Sequence, residues 1–167
     1  MTPSDLLELR DDLLREEQRL QKLVQGLEAM EPRLPDGSEV VEAAALRLHS
    51  FYTGVERSLL LVSRVVNGGT PARGEGWHRR LLERMALQSE SRPAVLRERT
   101  QQRLQEYLRF RHLVRNLYAD ELRPEPIALL IRDLPAVWEA LAADLQSFRA
   151  WLVRVAQQDT NRAPMLK

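Results

Sequence analysis

The stretch Arg109-Phe110-Arg111-His112-Leu113-Val114-Arg115-Asn116-Leu117-Tyr118 gathers three guanidinium groups, an imidazole, an amide and a phenol. That set suits a phosphodiester. Guanidinium groups grip phosphate in a forked, bidentate way and stabilise negative charge that builds in a transition state. An imidazole titrates near neutrality and can take up or supply a proton. Cleavage of RNA by its own 2′-hydroxyl asks for little more, and for no metal or other cofactor. Read by periodicity alone, the same residues also describe an ordinary amphipathic helix with an arginine-rich solvent face.

On an ideal helix each residue advances about 100°. Tyr107, Phe110, Val114 and Leu117 then form a buried seam on a helix running from about Ala94 or Arg99 to Glu121. Arg111, Arg115 and Tyr118 fall within about 60° of one another at the edge of that seam. His112 and Asn116 stack one turn apart on the adjoining polar face.

The elements that must position these groups are legible as apolar stripes. Leu6, Leu9, Leu13, Leu20, Leu23, Leu27 and Met30 alternate at spacings of three and four, broken only by Glu16. Such a stripe faces a partner helix continuously. Ser4 is the expected N-cap, and Pro32 and Pro35 end the segment. A second helix opens near Ser38 and carries Val41, Ala45, Leu48, Tyr52, Val55, Leu59, Val62 and Val66, stopping at Asn67-Gly68-Gly69. The glycine-containing loop that follows has no preceding strand and no Gly-Lys-Ser/Thr, so it fails as a phosphate loop. A short amphipathic helix is expected from Trp77 to about Gln88. Pro124 and Pro126 separate the third long helix from the last, whose stripe is Ile127, Leu130, Leu134, Val137, Leu141, Leu145, Phe148, Leu152 and Val155. Pro135 is expected to kink or restart that helix. The prediction is an all-α protein: an antiparallel four-helix bundle with one short extra helix over residues 1–158, and a frayed tail over 159–167.

A chain of 167 residues, 44% hydrophobic and 29% charged, is sized and composed for one domain with a proper core. The absence of cysteine excludes a disulfide framework, a thiolate metal site and a catalytic thiol. Three histidines, none spaced as a metal pair, argue against a zinc enzyme. The polar N-terminus does not read as a secretory signal, and apolar runs such as Leu59–Val62 are far too short to span a bilayer. A cytoplasmic location with no membrane partner is the expectation.

The net charge of +1 conceals an asymmetry. Residues 1–42 carry five basic and eleven acidic side chains, whereas residues 72–115 carry eleven arginines and five glutamates. A local basic region attracts nucleic acid even on a near-neutral protein. The same asymmetry also fits two solvated faces that attract each other across a bundle or a dimer.

Three segments in order resemble the HepT-like branch of the HEPN superfamily, the helical toxins of bacterial toxin–antitoxin pairs. They are Phe51-Tyr52-Thr53-Gly54-Val55-Glu56-Arg57, Gly76-Trp77-His78-Arg79-Arg80-Leu81-Leu82 and Phe110–Tyr118, spread over roughly residues 40–135. The resemblance implies a bundle that dimerises, with motif helices from two subunits forming a shared, metal-independent ribonuclease cleft. It also implies a nucleotidyltransferase-type antitoxin that modifies the motif tyrosine. The family pattern is an arginine, a polar neighbour, a histidine five residues after the arginine and a tyrosine two beyond that. Arg111, His112 and Tyr118 match; position 116 carries Asn116, and an amide cannot act as a general base.

The expected enzyme is therefore a homodimeric ribonuclease acting on RNA such as tRNA or mRNA. Arg111 and Arg115 hold phosphate with help from Arg109, His112 transfers the proton, Asn116 orients, and Tyr118 is the modification site. The alternatives are a silenced HEPN-fold partner of a nucleotidyltransferase or of RNA, and a plain helical scaffold. Elsewhere, Arg103 and Glu106 are expected to pair locally, Trp77 to plug the core, His78 to face solvent, and His49 to be a structural residue beside the second seam. Trp138 and Trp151 are placed on the apolar side of the last helix without chemistry.

Overall fold

The computed structural model describes residues 1–162, which form five α-helices: α1 (Pro3–Met30), α2 (Ser38–Val66), α3 (Trp77–Met85), α4 (Glu98–Val114) and α5 (Pro124–Arg162). A 3₁₀ turn at Glu31–Asp36 joins α1 to α2, and another at Ala119–Glu121 precedes α5. The expected bundle of four main helices plus one short one is what forms. Thr2, rather than Ser4, caps α1, through a reciprocal pair with Asp5 in which each backbone N–H meets the other's side chain. The tail expected from Asp159 is still helical as far as Arg162, and its remainder lies outside the described residues.

Inter-helix contacts fix the register. Down the α1–α2 pair, Arg57 reaches Glu16, Leu20 lies under Gly54, and Arg47 meets the Met30 sulfur. Along α1 and α5, Glu17 pairs with Arg149 and Glu31 with Arg132. Along α4 and α5, Asp144 holds Arg97, Asp133 holds Arg103, and the Tyr107 hydroxyl donates to the Leu130 carbonyl at 2.8 Å. In each pair the numbers rise on one helix as they fall on the other, so the neighbours are antiparallel. A Cβ on Gly54 would sit 2.7 Å from a Leu20 methyl, so glycine is what lets α1 and α2 approach there.

The stripes read from the sequence supply most of the core, although Leu23, Val114, Leu130 and Val155 are only partly buried against it. Leu6, Leu9, Leu13, Leu20, Leu27 and Met30 of α1 are buried, as is the whole stripe predicted for α2. Each such leucine contributes about 1.5–3 kcal/mol of burial. Glu16, the break in the first stripe, is nonetheless buried, and it pairs with Arg19 and Arg57.

Three further expectations are corrected. The third long helix ends at Val114, not Glu121. Pro135 neither breaks nor restarts the last helix, which runs as one 39-residue helix through it. Its first turn begins at Pro124, so Pro135 sits inside an established helix packed against α1 and α4 that tolerates the lost N–H. Arg103 and Glu106 do not pair with each other: Arg103 reaches across to Asp133, and Glu106 takes Arg109.

Two devices seat α3. Gly76, at φ +71, turns the chain into the helix through a left-handed conformation that a side chain would strain. At the other end the buried Arg92 guanidinium donates to Asn67 Oδ1 and to the carbonyls of Arg84, Leu87 and Pro93. It thereby ties the ends of α2 and α3 to the segment entering α4.

Candidate active site

Polar side chains converge where α2, α3 and α4 meet. On α2, His49, Tyr52 and Glu56 lie at spacings of three and four and share one stripe. Glu56 is buried, and its carboxylate is 2.5 Å from His78 Nδ1, in the first turn of α3. The His78 ring stacks on Trp77 (centroids 3.8 Å apart) and meets His112 edge-on at 5.4 Å. On α4, the residue before His112 is Arg111, whose Nη1 approaches the same His78 nitrogen at 3.3 Å.

One nitrogen cannot donate to a carboxylate and accept from a guanidinium at once. The shorter, charge-assisted contact decides it, so His78 Nδ1 carries hydrogen and donates to Glu56. The Arg111 contact is then a close approach without a hydrogen bond, and the ring's Nε2 is its reactive nitrogen.

Arg111 is only 9% exposed, forms no ion pair among the described residues, and its Nε is buried without a hydrogen-bond partner. A buried cation without a carboxylate is costly, and an anion would relieve it. The Tyr52 hydroxyl is likewise buried and unpartnered. Burial pushes that phenol well above its ordinary range, the Glu56 charge adds to the shift and Arg111 opposes it. Partial burial also holds His112 below its ordinary value of 6.5, with the charges of His78 and Arg111 acting the same way and Glu56 against. His49 is lowered too, by burial first and then by Arg111 and Arg115. All three histidines of the chain thus belong to one electropositive cluster.

The decapeptide itself is only partly helical. After Val114 the backbone tightens: Asn116 N–H bonds to Leu113 and Leu117 N–H to Val114. Tyr118 is extended, with φ −73 and ψ 153. The shared stripe of Arg111, Arg115 and Tyr118 therefore does not exist. Arg115, the C-cap residue, stays near Arg111 and is exposed. The Asn116 amide donates to the His112 carbonyl at 2.9 Å, closing the helix end. Tyr118 is 79% exposed, and its backbone N–H bonds to Glu121. Arg109, two residues and so about 200° from Arg111, is exposed and paired with Glu106.

Residues 43–152 match the family described as HepT-like protein. The chain belongs to the HepT-like family, a branch of the HEPN superfamily. The matched span of this HepT-like chain contains every member of the cluster, whereas α1 lies outside it. No curated protein and no solved structure matches significantly.

His78 corrects the sequence reading most sharply: it is not solvent-facing but 15% exposed and bonded to a buried carboxylate. The signal was present. His78 stands three, four and seven residues before Leu81, Leu82 and Met85, all buried, so it occupies the inner stripe of α3. Glu56 likewise sits four residues after Tyr52 and three before Leu59, a seam position where a carboxylate needs a reason to be. Trp77 is half-buried against the core, as expected of a plug, and Arg73 covers its ring at 5.4 Å. Trp138 and Trp151 are also partly buried, Trp151 stacking on Phe148.

Proposed function

We propose that this HepT-like protein is a metal-independent endoribonuclease in which the 2′-hydroxyl of RNA attacks its own phosphate. The observation that carries the reading is Arg111, a buried guanidinium with no direct ion pair among the described residues, flanked by three histidines. A phosphate diester brings Arg111 the direct anionic partner that Glu56, committed to His78, does not provide. Arg111 would hold one phosphate oxygen and Arg115 another, and both strengthen as charge develops in the transition state. His112, held below its ordinary value, is mostly neutral at pH 7 and ready to take the 2′-hydroxyl proton. As the new P–O2′ bond forms, the P–O5′ bond breaks, giving a 2′,3′-cyclic phosphate and a 5′-hydroxyl. Asn116 transfers no proton; by bonding the His112 carbonyl it steadies the helix end that carries the base.

The wider reading is a homodimeric, cytoplasmic toxin restrained by a nucleotidyltransferase-type antitoxin, with exposed Tyr118 as the acceptor of the nucleotidyl group. Induced expression in a bacterial host tests it. Wild type should arrest growth and fragment cellular RNA, Arg111→Ala at equal protein level should do neither, and a co-expressed cognate nucleotidyltransferase should relieve the arrest. Unimpaired growth with intact RNA at the same wild-type level would contradict the toxin reading and favour a silenced binding partner.

A further inference from the structure

We propose that His78, held by Glu56, is the second proton-transfer group of the site and does the work that Asn116 cannot. This rests on the ribonuclease reading above and assigns the half of the reaction which that reading leaves open. In-line cleavage needs one group to take the 2′-hydroxyl proton and another to supply a proton to the departing 5′-oxygen. Within the decapeptide His112 is the one imidazole: Asn116 is an amide already bonded to a backbone carbonyl, and Tyr118 is 79% exposed beyond the helix end.

The structure brings a second imidazole to the place. His78 arrives from α3, its ring 5.4 Å from that of His112 and its Nδ1 3.3 Å from the Arg111 guanidinium. Two constraints fix that ring. Glu56 accepts its Nδ1–H at 2.5 Å, and Trp77 stacks on its face. Nε2 is left as the nitrogen that exchanges protons. With His112 taking the 2′-hydroxyl proton, the Nε2–H of doubly protonated His78 goes to the 5′-oxygen as the P–O5′ bond breaks. The ring is left as its neutral Nδ1–H tautomer. The Glu56 bond persists in both states, so the carboxylate is a positioning group that need not move during turnover. It orients a histidine as the aspartate of a hydrolytic triad does. The charged and titratable groups that act around the pair are Glu56, Tyr52 and His49 from α2 and Arg111, His112 and Arg115 from the end of α4.

The test is single-turnover cleavage of an RNA oligonucleotide in EDTA by wild type, His78→Ala, His78→Gln, Glu56→Gln and Glu56→Asp, with RNA binding measured separately. His78→Ala and His78→Gln should lower the cleavage step about 10²–10⁴-fold while binding changes little, and added imidazole should partly restore His78→Ala. Glu56→Gln should lower the same step and change the pH profile, and Glu56→Asp should recover part of the loss. Nitrogen-15 NMR of the wild-type imidazoles reads the tautomer without any variant, and hydrogen on His78 Nδ1 is expected. Wild-type rates in both His78 variants, or hydrogen on Nε2 of the neutral ring, overturn the dyad while leaving the ribonuclease reading intact. A wild type that cuts no RNA under these conditions overturns both.

Discussion

Arg111 is a buried guanidinium with no direct ion pair among the described residues. A guanidinium buried without a direct carboxylate partner is costly to the folded state. Its Nε finds no partner, and its Nη1 lies 3.3 Å from an imidazole nitrogen already committed to Glu56. An anionic ligand would give this guanidinium the direct partner it lacks. Arg111→Met should therefore leave the free protein as stable as wild type or more stable by about 1 kcal/mol, while abolishing cleavage; thermal melting beside an RNA assay checks both halves. Inorganic phosphate should raise the melting temperature of wild type but not of Arg111→Met, as binding to the folded state requires. His112 adds a pH signature. Since burial and the neighbouring cations hold it below 6.5, the acidic limb of kcat/KM should lie below that value and disappear in His112→Ala. An acidic limb at or above 6.5 would remove His112 from the base role.

The helices that bring these residues together were legible to different degrees. The stripes of α1, α2 and α5 are long and regular, and a pattern repeated over seven turns identifies both a helix and its buried face. The end of α4 was not legible, because Arg115, Asn116 and Leu117 keep a helical polarity pattern while the Asn116 amide folds back onto the His112 carbonyl. That competition between a short polar side chain and the helix ladder is local and shows only in coordinates. His78 and Glu56 were hidden differently: both occupy inward positions, but a period says nothing of which helix lies opposite. Only the docking of α3 onto α2 pairs them. Two elements control that docking. Arg92→Met should cost on the order of 2–3 kcal/mol, since four acceptors lose a charged donor, and lower Tm by about 4–12 °C. Gly76→Ala should cost about 1–2 kcal/mol at a left-handed position. Both should slow cleavage more than they weaken RNA binding, because each displaces His78 and leaves Arg111 and Arg115 in place.

On the scale of the whole molecule, α1 lies outside the family match yet supplies much of the core against α2 and α5. Removal of residues 1–37 would expose both seams, and the remainder should aggregate or bind hydrophobic dye even though it contains every candidate site residue. Stability should also depend on pH in a definite direction. His49 and His112 both have folded-state values below 6.5, so the stabilisation they carry is present above that value and is lost as pH falls through their lowered values. Glu17 runs the other way: burial raises it above 4.5 despite Arg149, so its contribution is complete in acid and lost as pH rises through the raised value. Urea midpoints should accordingly fall as pH drops below 6.5, and less so in a His49→Gln, His112→Gln double variant.

On the proposed function, α2, α3 and α4 assemble a site for metal-independent RNA cleavage around Arg111. The most direct measurement is the chemistry of the product ends after purified protein meets RNA in EDTA. Wild type should leave 2′,3′-cyclic phosphate and 5′-hydroxyl ends, and Arg111→Ala should leave none. Intact RNA with wild type, or 5′-phosphate ends that point to an activated water, would contradict the proposed function.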